Sequence, residues 1–331
     1  MFAPRRSAAG QVLLADIGGT HSRFAVASPG GRPERIAVFA NQDFTGLEAA
    51  IAAYLAEHAV HPDSAVLAVA GPVDGHEIAL TNCPWRFRLD VLAERFALRH
   101  VQAINDFEAL AWALPQLRAE DLRRLGPEGP AGASDSAKVV LGPGTGLGVA
   151  ALVPTGDAWQ SVASEGGHVS FGPDAPDEYP IFALLRARGR VSAETILSGP
   201  GLARLHAALN PQAPALAPES VVAQAQLGDR AALASTRLFV RLLGRFAGDA
   251  ALIFKATGGV YLAGGVAPAL GALFDEDIFR AAFEAHPPYA ALLAAIPTFL
   301  ITCAQPGLLG CAALAKEMQK AGDAFTPSQV R

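Results

Sequence analysis

Cysteine is scarce in this chain, with only Cys83, Cys303 and Cys311 in 331 residues. Three scattered cysteines exclude a disulfide framework or a four-cysteine zinc site, and a reducing cytoplasm fits them best. Charge is scarce too: 17% of residues are charged and the formal net charge is −5. Without a basic excess to neutralise phosphates, a nucleic-acid partner is not expected. Long apolar runs are also missing. The most membrane-like segment, YAALLAAIPTFLITCA (Tyr289–Ala304), is broken by Pro297 and falls short of the roughly 18 apolar residues that a membrane span needs. It reads as a helix followed by a buried strand, and no membrane partner is expected. Arg5 and Arg6 do not announce a signal peptide, because the apolar stretch behind them, Val12–Ala15, stops at Asp16.

What the chain does contain is apolar substance, 51% of its residues, enough for a sizeable core and two domains. Short continuous apolar runs such as Ala65–Ala70, Val139–Leu141, Val260–Ala263 and Thr298–Thr302 suit strands buried on both faces. They alternate with helical periodicity at Gly46–His58, Asp106–Leu114, Ala231–Phe254 and Gly307–Lys320, which predicts an α/β architecture. Leu125–Ser136 and Asn210–Ser220, rich in proline, glycine, alanine and serine, read as loops.

Residues 12–27, VLLADIGGTHSRFAVA, form an apolar hairpin interrupted by Asp16, Gly18, Gly19 and Thr20. Glycines let the backbone approach a ligand, and successive N–H groups in such a turn make a nest for phosphate. Asp16 would repel a bare phosphate but suits the water shell of Mg²⁺. An ordinary glycine hairpin is the competing reading. A weak echo follows about 130 residues later in GPGTGLGVAALV, where Gly144, Thr145 and Gly146 sit between two apolar runs. The echo suggests two related lobes facing each other. Its glycines alternate and lead into a strand, so a dinucleotide fingerprint is not expected.

Other segments leave two readings open. Gly264 and Gly265, in VYLAGGVAP, serve either ligand approach or packing. Asn105 and Glu108 suit a capping box at a helix start, yet Asn105 and Asp106 also stand at a strand's C-terminal end, where α/β proteins place ligands. An aspartate there could take a proton from a hydroxyl nucleophile. Glu165 and His168, in SEGGHVSF, are separated by two glycines that disfavour a helix; an acid and an imidazole on a glycine loop suit a polyhydroxyl ligand. Glu194 falls in the first turn of a helix capped by Ser192, where it could simply complement the helix dipole.

In order along nearly the whole chain, LLADIGGTHSRFAV, AVAGPVDG, LTNCPW, INDFEA, GPGTGLGVA, SEGGHVSF, SAETILSGPGL, ATGGVYLAGG and PGLLGCAA resemble the bacterial glucokinase family of actin-like sugar kinases. The resemblance implies a two-domain actin-like ATPase (RNase H-like) fold with an interdomain cleft. Residues 1–112 with 308–331 would form the small domain and 113–307 the large one. It implies ATP-dependent phosphorylation of glucose at the 6-hydroxyl, with ATP and Mg²⁺, in the cytoplasm and as a homodimer. Asp16–Thr20 would be the first phosphate motif, Gly144–Gly148 the second, and Gly264–Gly265 part of the adenosine site. Asp106 matches the family's catalytic base, and Asn105, Glu165, His168 and Glu194 match its sugar-hydroxyl ligands. His21 and Ser22 stand where members often carry Asn-Ala, and Met1–Gly10 reads as an extension.

Two alternatives stand beside this reading: a hexose kinase of different sugar preference and a non-catalytic sugar-sensing regulator on the same fold. A DNA-binding regulator would need a helix-turn-helix that the residues before the first strand are too few to hold. The related repressor and sugar-kinase (ROK) group carries a cysteine cluster soon after its EGGH-type histidine, whereas the next cysteine after His168 is Cys303.

Overall fold

The computed structural model describes residues 10–28, 31–73, 77–129 and 132–320. Arg5, Arg6, nearly all of the expected N-terminal extension and the last part of the expected small domain, 321–331, lie outside the described residues. The chain divides into two compact units, one running to Leu117 and resuming at Cys303, the other spanning Arg118–Thr302. The boundaries expected from the sequence, 112 and 308, lie within the helices Asp106–Ala113 and Pro306–Lys320.

In the first unit, β1 (Val12–Ile17), β2 (His21–Ala27), β3 (Glu34–Ala40), β4 (Ser64–Val69) and β7 (His100–Asn105) form one sheet; β5 (Glu77–Ala79) and β6 (Arg86–Arg88) make a separate hairpin. The sheet order is β3-β2-β1-β4-β7. β1, β2 and β3 run antiparallel in turn, while β1, β4 and β7 are parallel. Successive side chains of β1 leave on opposite faces. Leu13, Ala15 and Ile17 join a core with Ile51 and Tyr54 of the helix Leu47–His58. On the other face the helix Pro306–Lys320 packs over β1, bringing Gly307 against Asp16. Both faces are covered, which is why β1 and β4 read as unbroken apolar runs. Gly310 of the same helix lies on the Ala109 carbonyl of helix Asp106–Ala113, so closely that a Cβ would overlap it.

In the second unit, β8 (Leu122–Leu125), β9 (Lys138–Pro143), β10 (Leu147–Thr155), β11 (Ala158–Ser164), β12 (Val260–Leu262) and β13 (Thr298–Ile301) are ordered β11-β10-β9-β12-β13-β8. β9, β12 and β13 are parallel, β10 and β11 antiparallel. Apart from the antiparallel edge strand β8, this repeats the chain path of the first sheet, so the echo between the two glycine hairpins is an echo of whole sheets. The 25-residue helix Arg230–Phe254, capped by Asp229, supplies Phe239, Leu243 and Phe246 to the core.

Tyr289–Ala304 is indeed a helix, Ala290–Ala294, then strand β13. Two loop assignments need correction. Pro218 starts the helix Pro218–Gln226, since proline's missing N–H costs nothing in a first helical turn. Leu125 belongs to β8 rather than to the loop after it.

Candidate functional site

Register places the acids of the first unit. Ile17 pairs with Val69, and Val69 with Asn105, so three parallel strands end level with one another. The Gly18–Thr20 turn leaves the end of β1 and Asp106 follows the end of β7, two strand spacings or roughly 10 Å across the sheet. Carboxyl ends of parallel strands are where α/β folds hold ligands.

Asn105 caps the helix Asp106–Ala113, as its sequence suggests: the Phe107 N–H donates to Asn105 Oδ1 at 2.9 Å and to Asp106 Oδ1 at 3.0 Å. Asn105 Nδ2 donates to the Gly71 carbonyl at 3.2 Å, fixing the side chain. The Asp106 carboxyl is raised to about 6, first by burial and then by the negative charge of Asp16, against the opposing pull of the Phe107 N–H. Burial also raises Asp16, offset by Arg23. Arg23 Nη1 lies 3.7 Å from Asp16 Oδ2, an ion pair longer than a hydrogen bond, and the Asp16 side chain is 21% exposed.

The turn between β1 and β2 is closed by Gly18 N–H donating to the His21 carbonyl at 3.0 Å. It is also held from outside by Asn41, a buried residue just past β3. Nothing in the local sequence marks Asn41, because its partners lie about two dozen residues earlier and meet it only through sheet pairing.

In the second unit the Gly144–Gly146 turn joins β9 to β10, with Gly144 N–H donating to the Gly146 carbonyl at 2.8 Å and Gly199 N–H to the Gly144 carbonyl at 2.8 Å. Ser192 caps the short helix Ala193–Ile196, accepting from the Thr195 N–H. Glu194, in that first turn, reaches out of the helix: its Oε2 accepts the Leu147 N–H at 2.9 Å, and a Cβ on Gly146 would stand 2.5 Å from the same oxygen. Its carboxylate therefore braces the glycine turn, a contact outside both readings left open by the sequence. Glu165 precedes, and His168 ends, a single 3-10 turn, Gly166–His168, rather than an α-helix. The His168 ring lies 3.9 Å from the Glu165 carboxylate, and both side chains are more than half exposed. Gly264 takes a φ of +78°, and a Cβ there would meet the Pro143 carbonyl at 2.5 Å, so packing alone demands glycine at that position; Gly265 has open space instead.

Asp16, Gly18, Gly19, Thr20, Asn105 and Asp106 thus gather at one end of the first sheet. Gly144, Thr145, Gly146, Glu165, His168, Glu194, Gly264 and Gly265 belong to the second unit. Among the described residues no group of three or more histidine, cysteine or acidic side chains could hold a metal ion. The partly exposed Asp16 carboxylate at the end of β1 is the kind of single donor that suffices for Mg²⁺, an ion that keeps several of its waters. No helix among the described residues is long and apolar enough to cross a membrane.

A family model described as Glucokinase matches residues 13–318. A glucokinase of Tolumonas auensis is 40% identical over 318 residues, 93% of this chain and 97% of that protein. The crystal structure of a glucokinase from an Antarctic psychrotroph superposes with a TM-score of 0.86 at 32% identity, covering 93% of this chain and 99% of the other. A glucokinase from Balamuthia mandrillaris, solved in complex with glucose, shares the fold at a TM-score of 0.73 and 23% identity, over 93% of this chain and 94% of its own. The two similar sheets are those of the actin-like sugar-kinase fold. With one family model spanning almost the whole chain and a relative of that name matching it nearly end to end, the chain belongs to the glucokinase family.

Proposed function

We propose that this chain transfers the γ-phosphoryl group of ATP to the 6-hydroxyl of glucose, with Asp106 taking the hydroxyl proton. The observation that carries this reading is the Asp106 carboxyl itself. It is fixed at a helix start beyond a parallel strand and lifted to about 6, close enough to neutrality to serve as a base that is ionised yet still basic. A sugar hydroxyl is a poor nucleophile, and phosphoryl transfer asks mainly for positioning and for neutralisation of phosphate charge. Asn105, Glu165, His168 and Glu194 orient the sugar through its hydroxyls; each bond to a charged partner contributes about 1.5–3 kcal/mol. The Gly18–Thr20 and Gly144–Gly146 turns offer backbone N–H groups to the phosphates, and Gly264–Gly265 borders the adenosine. Asp16 would hold Mg²⁺ through its water shell, and the ion would supply positive charge against the phosphates. The enzyme works in the cytoplasm as a homodimer.

A coupled assay of sugar-dependent ADP release over a panel of hexoses tests this reading. Release with glucose that exceeds release with mannose or glucosamine is the expected result. No stimulation by any hexose would leave a sugar-sensing regulator in its place, and a stronger response to another hexose would move the sugar preference.

A further inference from the structure

We propose that Asn41 is a positioning residue for nucleotide phosphate, setting the direction in which the Gly18–Thr20 turn presents its N–H groups. This rests on the reading of that turn as a phosphate site. Asn41 is 4% exposed and uses its side chain and backbone together. Its Nδ2 donates to the Gly18 carbonyl at 2.8 Å, and its own N–H donates to the Thr20 carbonyl at 2.9 Å. Its Oδ1 accepts from the hydroxyl of Ser22, itself fully buried, at 2.8 Å. The Gly18 carbonyl can only accept, so the amide turns its nitrogen to Gly18 and its oxygen to the Ser22 hydroxyl. Cys83 Sγ, 3.7 Å from Nδ2, is a further neighbour.

The consequence follows from the planarity of the peptide. A trans peptide carries its C=O and the next N–H on opposite sides. With the Gly18 carbonyl drawn inward to a buried amide, the Gly19 N–H is turned outward, on a residue that is itself partly exposed. A two-glycine turn has many alternative backbone states, and glycine resists few of them. Asn41 removes that freedom before any anion arrives, and preorganised donors bind more tightly than donors that must first be ordered. Ser22 belongs to the same device, since its buried hydroxyl satisfies the amide oxygen that faces away from the turn.

The test uses the full chain and three proteins: wild type, Asn41→Ala, and the double variant Ser22→Ala/Asn41→Leu. The double variant replaces the Ser22–Asn41 side-chain pair with apolar groups, an exchange that can leave much of the stability unchanged, and like Asn41→Ala it leaves the Gly18 carbonyl without its side-chain donor. ADP affinity by calorimetry, the KM values for ATP and glucose, and thermal midpoints are measured. Hydrogen exchange of peptides covering residues 13–24 is followed with and without ADP. Loss of one ordering hydrogen bond should weaken ADP binding and raise the ATP KM roughly tenfold in Asn41→Ala, with the glucose KM within about twofold. The double variant should recover the thermal midpoint while keeping the ADP defect. If ADP affinity returns along with stability, or never falls in Asn41→Ala, Asn41 is structural only and the proposal fails. If ADP gives no protection to this peptide in the wild type, the phosphate reading of the turn is what fails.

Discussion

Asp16 and Asp106 stand near the level ends of parallel strands in one sheet, separated by a single strand, and the charge on the first helps hold the second at about 6. Neither acid is a neighbour of the other in sequence; the parallel register of β1, β4 and β7 makes them a pair. In the proposed mechanism Asp16 serves the metal and Asp106 takes the proton.

Replacing Asp106 by Asn keeps the shape and the helix-start position but removes the proposed base. Turnover should fall by about 10²–10⁴ while glucose affinity stays within a few-fold. Stopped-flow or coupled kinetics together with calorimetric glucose binding would check both halves, and turnover close to wild type would remove Asp106 from its role.

The raised carboxyl carries two pH signatures of opposite sense. For catalysis the base must be ionised, so kcat/KM should decline as pH falls through about 6. For stability, a carboxyl whose folded value rises from 3.8 to about 6 favours folding when protonated. Its contribution is therefore full below 3.8 and lost as pH climbs through about 6. Asp106→Asn should accordingly gain on the order of 1–3 kcal/mol over wild type near pH 8 and nothing near pH 3. Thermal melts across pH measure the difference, and a parallel offset at every pH would contradict the assigned shift.

Gly146 and Glu194 are expected to behave as one unit. A methyl on Gly146 would displace the carboxylate from the Leu147 N–H. Gly146→Ala should therefore impair the enzyme much less when Glu194 is already Ala. A double-mutant cycle on kcat/KM should show a coupling of at least about 1 kcal/mol; additive losses would mean that the bond has no consequence for the turn.

Gly310 tests the scaffold beneath the base. Alanine there must push the helix Pro306–Lys320 off the Ala109 carbonyl, in the helix that begins with Asp106. Overpacking of this kind costs about 1–3 kcal/mol, so the melting midpoint and turnover should fall together. Unchanged values for both would show that the helix pair has room to spare.

Much of this was legible from residue order alone. The runs around Val66, Val140, Tyr261 and Leu300 announced strands covered on both faces, and the Asn105 cap announced the helix that carries Asp106. Features set by distant chain crossings were not legible. Asn41 meets Gly18 only because β3 folds back beside β2. The Glu194 carboxylate meets Leu147 only because a short helix packs against a hairpin 47 residues earlier. Edge strands such as β3 and β8 are not legible either, because partly exposed and charge-bearing residues blur the apolar signal there.

The repeated strand order has a consequence of its own. In both units a three-residue turn follows the first central strand, and the last parallel strand leads into the functional end of the sheet. Yet the penultimate residue of that first strand is Asp16 in one unit and Gly142 in the other, and the residue after the last is Asp106 in one and Thr302 in the other. The path is written twice and the acidity once. Doubling a fold gives each copy liberty to differ: the first carries carboxylates at these two strand-end positions, while the second has Gly142 and Thr302 there and brings its acid, Glu194, to the turn from a short helix.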